Sequence, residues 1–233
     1  MSDPPRTTPT GEEAREMLQR QMDRLMENLF LFFETRELGL PALGMAMDQL
    51  IRTLIELPNE AACKTGCAHC CHLRVGVSIP EVLVIFSGLR AQATSQGLEY
   101  FRNRVIRTSG RGDVLDETWW RSRKTACPFL DPQNRCLIYD LRPFSCRAYH
   151  STDVAACLEG FEAGKEMGIP CFPLYRAFTD MHSTVFIRTM ARKGLASFQV
   201  GLVKALELLF RDETLIARWF NKEDVFGPAR LEG

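Results

Sequence analysis

Residues 63–72 read CKTGCAHCCH and place four thiols within nine positions, at Cys63, Cys67, Cys70 and Cys71. If this stretch were helical, offsets of three and four would put the thiols on one face but spread them over about 12 Å of helix axis. A single tetrahedral ion with sulfur ligands at about 2.3 Å cannot reach across that length. The stretch therefore predicts a loop around one centre, or ligands of a polynuclear centre. The adjacent pair Cys70 and Cys71 favours the polynuclear centre, or a pair divided between two sites.

A second set of cysteines follows after a long gap, and the chain has nine cysteines in all. The second set comprises Cys127, Cys136, Cys146 and Cys157, and Cys171 stands apart from both sets. An odd number of cysteines in a chain without a visible secretory signal argues against a disulfide framework. Packing in a core gives no reason for such clustering, so we predict that the first eight cysteines are metal ligands.

Two kinds of metal centre fit these ligands. Zinc takes four cysteines, or three and a histidine, and eight thiolates with His72 or His150 would fill two such sites. Iron–sulfur clusters also use four cysteines, with short spacings and a distant partner. The triplet Cys63-x3-Cys67-x2-Cys70 has the spacing of the radical-SAM motif, but the sequence lacks the repeated strand–helix units of that fold. We favour an iron–sulfur cluster, with zinc as the alternative.

Charged residues near the cysteines are candidates to stabilise the centre. Thiolate clusters accumulate negative charge, which nearby cations and N–H donors stabilise. Arg142 and Arg147 flank Cys146 and are candidates for this role. His72 and His150 are candidate ligands, or hydrogen-bond partners of ligands. His182 lies in an apolar-rich predicted helix and is interpreted as a packing residue.

The composition is that of a globular chain with no bias toward anionic partners. It is 45% hydrophobic and 25% charged, and 29 Lys and Arg balance 29 Asp and Glu. A dedicated nucleic-acid or anionic-membrane binder normally carries a basic excess. No apolar run approaches the roughly 18 residues of a membrane span, and the N-terminus has no apolar signal region. We therefore expect a cytoplasmic protein that does not bind a membrane or nucleic acid.

The pattern of apolar residues, capping signals and turns predicts a mainly α fold. We expect a single domain of packed helices with irregular, metal-organised cysteine loops and at most a small hairpin around the turn at 131–134. The predicted helices are 11–37, 41–57, 79–93, 98–108, 174–192 and 195–210, with a shorter one through Trp219. The predicted divisions are a disordered lead at 1–10, an N-terminal helical pair at 11–57, a cysteine-cluster region at 58–160 and C-terminal helices at 161–233 on the same domain.

The combined motifs resemble a known family. Cys63-x3-Cys67-x2-Cys70-Cys71 is followed in order by CPFL at 127–130, CLIYDLRP at 136–143 and Cys146-Arg147. This combination, over residues 60–160, is similar to the YkgJ-type cysteine-cluster family, described as putative zinc- or iron-chelating proteins. The resemblance implies about eight ligating cysteines, with Cys157 as the last. Because the family includes relatives of flagellin lysine methylase, it also implies a protein partner or substrate and methyl-transfer chemistry.

Three functions follow from these observations. The first is a metal-binding protein whose iron–sulfur cluster or zinc has a structural, redox or sensory role. The second is a cluster-dependent protein-modifying enzyme that resembles flagellin lysine N-methylase. The third is a metal-trafficking or adaptor protein. A closed shell of thiolates favours the first because it leaves no open position for a substrate.

Overall fold

The structure is a computed structural model, which describes residues 11–232. The lead predicted at 1–10 lies outside these residues. The described chain is mainly α, as predicted, with ten α-helices and one two-stranded sheet. The helices are α1 (Gly11–Glu34), α2 (Leu40–Arg52), α3 (Ile79–Gln92), α4 (Ser95–Ser109), α5 (Glu117–Arg123), α6 (Phe144–Ala148), α7 (Val154–Ala163), α8 (Pro173–Arg192), α9 (Leu202–Arg211) and α10 (Leu215–Phe220). The strands are β1 (Gly76–Ser78) and β2 (Gln199–Gly201).

The N-terminal helices α1 and α2 form largely as their patterns predict. Helix α1 packs along α8, while α2 packs on α3. Proline lies in the first turn of α2, where its missing N–H has no helical partner to lose. Helix α2 ends at Arg52 rather than at 57, because Thr53 and Leu54 turn back onto the carbonyls of Leu50 and Ile51.

Helix α3 begins at the predicted capping box. The Ser78 side chain accepts from the Glu81 amide, and the Glu81 carboxylate accepts from the Ser78 amide. Proline again lies in the first turn. Because these are contacts between neighbours in sequence, the pattern alone locates the helix start.

The helix predicted at 195–210 is wrong in its first half. Residues 199–201 form β2, which pairs antiparallel with β1 in the register Gly76↔Gly201. Helix α9 then begins at Leu202, whose amide donates to the Val75 carbonyl at 2.9 Å. Tertiary pairing overrides the local helical pattern here, as it often does for short apolar runs.

The cysteine-rich part is built from short elements and loops. Three-residue to four-residue 3-10 turns cover His69–His72 and Tyr139–Leu141. The hairpin predicted around 131–134 is reduced to one isolated bridge between Leu130 and Cys136. Helix α7 was not predicted, although Asp153 caps it by accepting from the amides of Ala155 and Ala156.

A single hydrophobic core joins the N-terminal, central and C-terminal helices. Its largest fully buried side chains include Phe86, Phe144, Phe186, Trp219 and Phe226. Phe144 of α6 lies in this core two residues before Cys146, so the core fixes one part of the cysteine region directly. Within residues 11–232, none of the helices combines the length and apolarity that crossing a membrane requires.

Candidate metal centre

The first cysteine segment is a loop followed by a 3-10 turn, so its thiols are not strung along a helix. The Cys67 amide donates to the Lys64 carbonyl at 2.9 Å, and Gly66 takes a positive φ of 90° inside this turn. A side chain is disfavoured in that conformation, which explains the glycine between the first two cysteines. The segment therefore forms a loop, which is one of the two arrangements that the cysteine spacing predicts.

Two backbone hydrogen bonds tie this loop to the later cysteines. The Cys127 amide donates to the Cys71 carbonyl at 2.8 Å. The Ala62 amide donates to the Ser151 carbonyl, also at 2.8 Å, and the Ser151 amide donates to the Cys63 sulfur at 3.3 Å. Segments far apart in sequence are thus joined at their cysteines, and both sets of thiols meet in one region.

Four thiols from both segments form an inner group, namely Cys70, Cys127, Cys136 and Cys146. Cys127 and Cys136 pack against the hydrophobic core. Burial, with smaller contributions from the neighbouring thiols of Cys136 and Cys70, raises the pKa of Cys127 to about 12. Burial is also the largest cause that raises the pKa of Cys146 well above its usual range. The thiols of Cys127, Cys70 and Cys136 raise it by smaller amounts. The four thiols are thus electrostatic neighbours, and nearby positive charge would favour their thiolate forms.

Arg142 is the cation that the chain itself places beside the inner group. It lowers the pKa of Cys136 and Cys146 against the larger effect of burial. It also lowers the pKa of Cys70, against the larger effects of a hydrogen bond with Cys71 and of burial. Its guanidinium carbon lies 3.7 Å from the centre of the Tyr139 ring, which holds the side chain in place. Arg142 therefore lies where a residue that stabilises a thiolate centre is expected.

Arg147 donates to backbone carbonyls of the loop between Cys136 and Cys146. Its Nε donates to the Arg142 carbonyl at 2.9 Å, and its Nη2 donates to the Asp140 carbonyl at 2.8 Å. These bonds fix the 3-10 turn between Cys136 and Cys146. Arg147 thus positions Arg142 through its backbone.

Arg104 of α4 plays a similar part at Cys127 and was missed by sequence analysis. Its Nε donates to the Pro128 carbonyl at 2.5 Å and its Nη2 to the Leu130 carbonyl at 2.6 Å. It also lowers the pKa of Cys127. No local signal marks this residue, because the contact joins a helix to a loop more than twenty positions later in the chain.

Three further thiols line a cavity of about 140 Å³. Cys63, Cys67 and Cys157 form this cavity group, and Cys70 also lines the cavity. Burial raises the pKa of Cys67, and the thiols of Cys63, Cys70 and Cys157 raise it further. Cys70 therefore borders both groups.

His72 lines the same cavity in an arrangement suited to metal binding. Its Nδ1 lies 2.9 Å from the Ala68 carbonyl, and its ring meets Phe161 edge-on with centroids 4.8 Å apart. Burial lowers its pKa, which favours the neutral ring. A metal-binding histidine commonly donates its other N–H to a backbone carbonyl. With Nδ1 donating in this way, Nε2 carries the free lone pair.

His150 has a different environment. Its Nδ1 lies 2.9 Å from the Ala148 carbonyl, and its Nε2 accepts from the Phe172 amide at 2.7 Å. The ring stacks on Phe172. Both nitrogens are thus engaged, and the structure makes His150 a link between α6 and α8. His182 is likewise fully buried, with Nδ1 toward the Phe178 carbonyl and Nε2 toward the Thr53 hydroxyl, which confirms its interpretation as a packing residue.

Cys71 and Cys171 lie outside these two groups. The Cys71 thiol lies beside that of Cys70 and raises its pKa, while its carbonyl accepts from Cys127. Cys171 does not line the thiol cavity. Among residues 11–232, no three His, Cys, Asp or Glu side chains converge closely enough to hold one ion. The donors are therefore grouped around a space rather than closed on a point.

Comparison with known proteins agrees with the resemblance drawn from the motifs. Residues 62–168 match the model of the CxxCxxCC family, described as a "putative zinc- or iron-chelating domain". No curated protein and no solved structure shows significant similarity to the chain. The match contains all eight cysteines predicted as ligands and His72, and it ends just before Cys171. The domain family thus supports a metal-chelating function for this region.

Proposed function

Because residues 62–168 match the CxxCxxCC family model, we propose that they bind an iron–sulfur centre through their cysteines. In this proposal the inner group, Cys70, Cys127, Cys136 and Cys146, supplies a thiolate shell next to the core. The cavity group, Cys63, Cys67 and Cys157, supplies a second set of ligands together with His72. The centre has a structural and redox role.

The observation that carries the proposal is the arrangement of seven thiols in two groups that share Cys70 as a neighbour. Cys70 is an electrostatic neighbour of Cys127, Cys136 and Cys146 on one side. On the other side it neighbours Cys67 and Cys157. Random placement of cysteines for packing gives no reason for this arrangement. A continuous set of metal ligands does.

The spread of the donors favours a cluster over a lone ion. One zinc ion needs four donors at about 2.0–2.3 Å from a single point. An iron–sulfur cluster carries its own inorganic sulfide and therefore spans the space between more distant thiolates. A cavity of about 140 Å³ lined by four cysteines fits the second case. This supports iron–sulfur over zinc.

When bound, the cluster would supply one-electron chemistry, and the surrounding residues set the conditions for it. Arg142 offsets the negative charge of the inner thiolates. Phe161 packs edge-on against the His72 ring. Arg104 and Arg147 hold the ligand loops by their carbonyls. Each of these residues would change the potential or the metal affinity without being a ligand.

A second candidate function is a protein-modifying enzyme, as the resemblance to flagellin lysine N-methylase implies. The cavity group favours this candidate because it borders a cavity, lined by four cysteines and three histidines, that also reaches Lys165 and Glu166. A substrate side chain could enter there. This candidate gains support if Cys70→Ala or Cys71→Ala keeps fold and metal but loses lysine methylation of a protein substrate, measured by mass spectrometry.

The first experiment is elemental analysis of protein purified without oxygen, giving zinc, iron and acid-labile sulfide per chain. We expect iron with a matching amount of sulfide. Cys146→Ser and Cys157→Ser should each lower both contents, because each removes a ligand from one group. Cys171→Ser is the matched control, since Cys171 lies outside the family match and the cavity.

The outcomes separate the parts of the proposal. Zinc without sulfide would contradict the cluster and leave a structural zinc domain. If the protein contains neither zinc nor iron, that result would contradict the metal-binding function itself. An equal loss of metal in Cys171→Ser and Cys146→Ser would contradict the assignment of the ligands.

A further inference from the structure

A second cavity adjoins the thiol cavity and is lined mainly by polar side chains. It has a volume of about 330 Å³, which is at the lower end of the range for small-molecule sites. Tyr149 and Arg176 line both cavities and form the wall between them. Neither the family match nor the cysteine ligands account for this polar cavity.

The charged groups around the polar cavity leave a small positive excess. Glu117 lies between two arginines, with Oε2 3.4 Å from Arg74 Nε and Oε1 3.0 Å from Arg121 Nε. Arg176 Nε lies 3.7 Å from Asp180 Oδ2. Arg74, Arg176, Glu117 and Asp180 line the polar cavity. Arg121 lines the thiol cavity and pairs with Glu117 from that side, so the five charged groups together carry a net charge of +1. Burial raises the pKa of Asp180, and Arg176 opposes this shift.

Several hydrogen-bonding groups at the cavity have no strong partner within residues 11–232. Arg74 uses Nη1 for the Leu115 carbonyl at 2.7 Å, which leaves its Nη2 donors. Arg176 makes only the 3.7 Å contact with Asp180 and lies over the Tyr149 ring at 5.0 Å. The hydroxyl groups of Tyr149 and Thr184 line the cavity and make no side-chain hydrogen bond within this range. Unused donors that converge on one polar space indicate a bound ligand.

We propose that the polar cavity binds a small organic acid that carries a carboxylate and hydroxyl groups. The planar guanidiniums of Arg74 and Arg176 match the two oxygens of a carboxylate. The hydroxyls of Tyr149 and Thr184 match the hydroxyl substituents. A single carboxylate balances the net charge of +1, whereas a phosphate dianion would bring excess negative charge beside Glu117 and Asp180.

The ligand would lie beside the metal-binding region, because the cavity contains residues next to a cysteine. Ser145, which directly precedes Cys146, lines the polar cavity. Burial raises the pKa of Tyr149, and Cys146 is among the neighbours that raise it further. Binding of an acid there would therefore be coupled to the inner thiol group through Tyr149 and α6. The proposal does not depend on which metal the thiols bind.

The test is calorimetric titration of the protein, as purified without oxygen, with glycerate as the probe. Inorganic phosphate and the neutral amide of glyceric acid are titrated in parallel. We expect glycerate to bind and both analogues to bind at least tenfold more weakly. Arg176→Gln should raise the dissociation constant for glycerate at least tenfold, and Tyr149→Phe should raise it several-fold.

Arg192→Gln is the matched control for Arg176→Gln. Arg192 also lies 3.7 Å from a carboxylate, that of Glu27, and has similar exposure, 45% against 43%. It also lies over an aromatic ring, that of Phe30. We expect this variant to bind glycerate like the unaltered chain. If Arg176→Gln does not fold, Tyr149→Phe carries the test.

Three results would overturn the proposal. The first is the absence of glycerate binding. The second is equal binding of the neutral amide or tighter binding of phosphate, because either would contradict a carboxylate ligand. The third is an equal effect of Arg176→Gln and Arg192→Gln, or no effect of Tyr149→Phe. Metal content is measured on the same samples, so that failure of ligand binding is distinguished from loss of the metal centre.

Discussion

Glu81 and the inner thiol group are neighbouring polar centres that the chain stabilises in opposite ways. The Glu81 carboxylate is fully buried and accepts four hydrogen bonds, from the Ser78 amide, the Ser78 hydroxyl, the Ser183 hydroxyl and the Phe144 amide. Burial raises the pKa of Glu81 and of the inner thiols alike, but the thiols lack such a set of donors and have only the cations Arg142 and Arg104 beside them. Cys146 lies only two residues from Phe144, so both environments belong to the same short helix.

The comparison shows which part of the molecule folds by its own contacts. Glu81 joins β1, α3, α6 and α8 through donors that the protein itself supplies, and buried polar groups of this kind need no further partner. The inner group has four acidic groups and too little positive charge around them. If these thiols bind a metal as proposed, we expect their order to depend on it. Four predictions test this difference, beginning with the largest effect.

Removal of the metal should melt the cysteine region while the helical frame remains folded. A structural metal contributes on the order of 10 kcal/mol to small metal-dependent modules. Hydrogen exchange after chelation should show loss of protection at 62–72 and 127–157. Amides of α1, α8 and α9 should keep theirs. Uniform loss of protection over all helices would contradict the separation of the two regions.

Glu81→Ala should destabilise the frame by about 3–5 kcal/mol, because it leaves the amides of Ser78 and Phe144 buried without an acceptor. Urea unfolding measured by circular dichroism gives the change. Glu99→Ala is the control, since Glu99 is 55% exposed and pairs only at the surface with Arg102 and its neighbours. The two variants should differ by at least about 2 kcal/mol. Similar values for both would show that Glu81 does not join the elements as described.

Arg142→Gln should weaken metal binding by about 10- to 100-fold, as loss of residues around metal ligands commonly does. Its effect on the stability of the helical frame should be below about 1 kcal/mol, because Arg142 contacts the cysteine loop. Competition with a chelator measures the affinity. Arg135→Gln is the control, as Arg135 precedes Cys136 but pairs with Asp131 at 2.8 Å. A larger loss of metal affinity in Arg135→Gln than in Arg142→Gln would show that Arg142 is not the arginine that stabilises the centre.

Glu207→Gln should reduce the loss of stability in acid by about 1 kcal/mol between pH 7 and about pH 4. Hydrogen bonds from Lys204, Ser109 and Arg211 outweigh burial and lower the pKa of Glu207 from 4.5 to about 2. Since the folded-state pKa is the lower one, Glu207 stabilises the fold above pH 4.5, and this contribution is lost as the pH falls toward 2. Urea unfolding at several pH values compares the variant with the unaltered chain. If the free energies of unfolding of the variant and the unaltered chain change with pH in parallel, the lowered pKa of Glu207 would be contradicted.

Local signals in the sequence account for much of the frame. The capping box at Ser78 and Glu81 and the proline-started helices α2 and α8 depend on residues within a few positions, so their patterns suffice. Helix α7 could have been found from Asp153, whose side chain caps it. The cysteine motifs and their order were enough to predict the match to a zinc- or iron-chelating domain family.

The remaining features depend on contacts between distant parts of the chain. The pairing of 76–78 with 199–201 could not be predicted, because residues 195–210 read locally as one helix. The division of the cysteines into two groups was not predictable either, since Cys70 and Cys146 meet only after the loops fold. Arg104, Tyr149 and Arg176 acquire their positions in the same way, through packing against segments that carry no related motif.

The pairing of β1 with β2 has a consequence for how the protein is made. All eight candidate ligands, from Cys63 to Cys157, leave the ribosome before β2 is synthesised. β1, which follows directly on the first cysteine loop, has no partner strand until Gly201 has emerged. We therefore expect the thiols to be exposed together on an unfinished chain, where an incoming metal would meet them before the C-terminal helices close the fold.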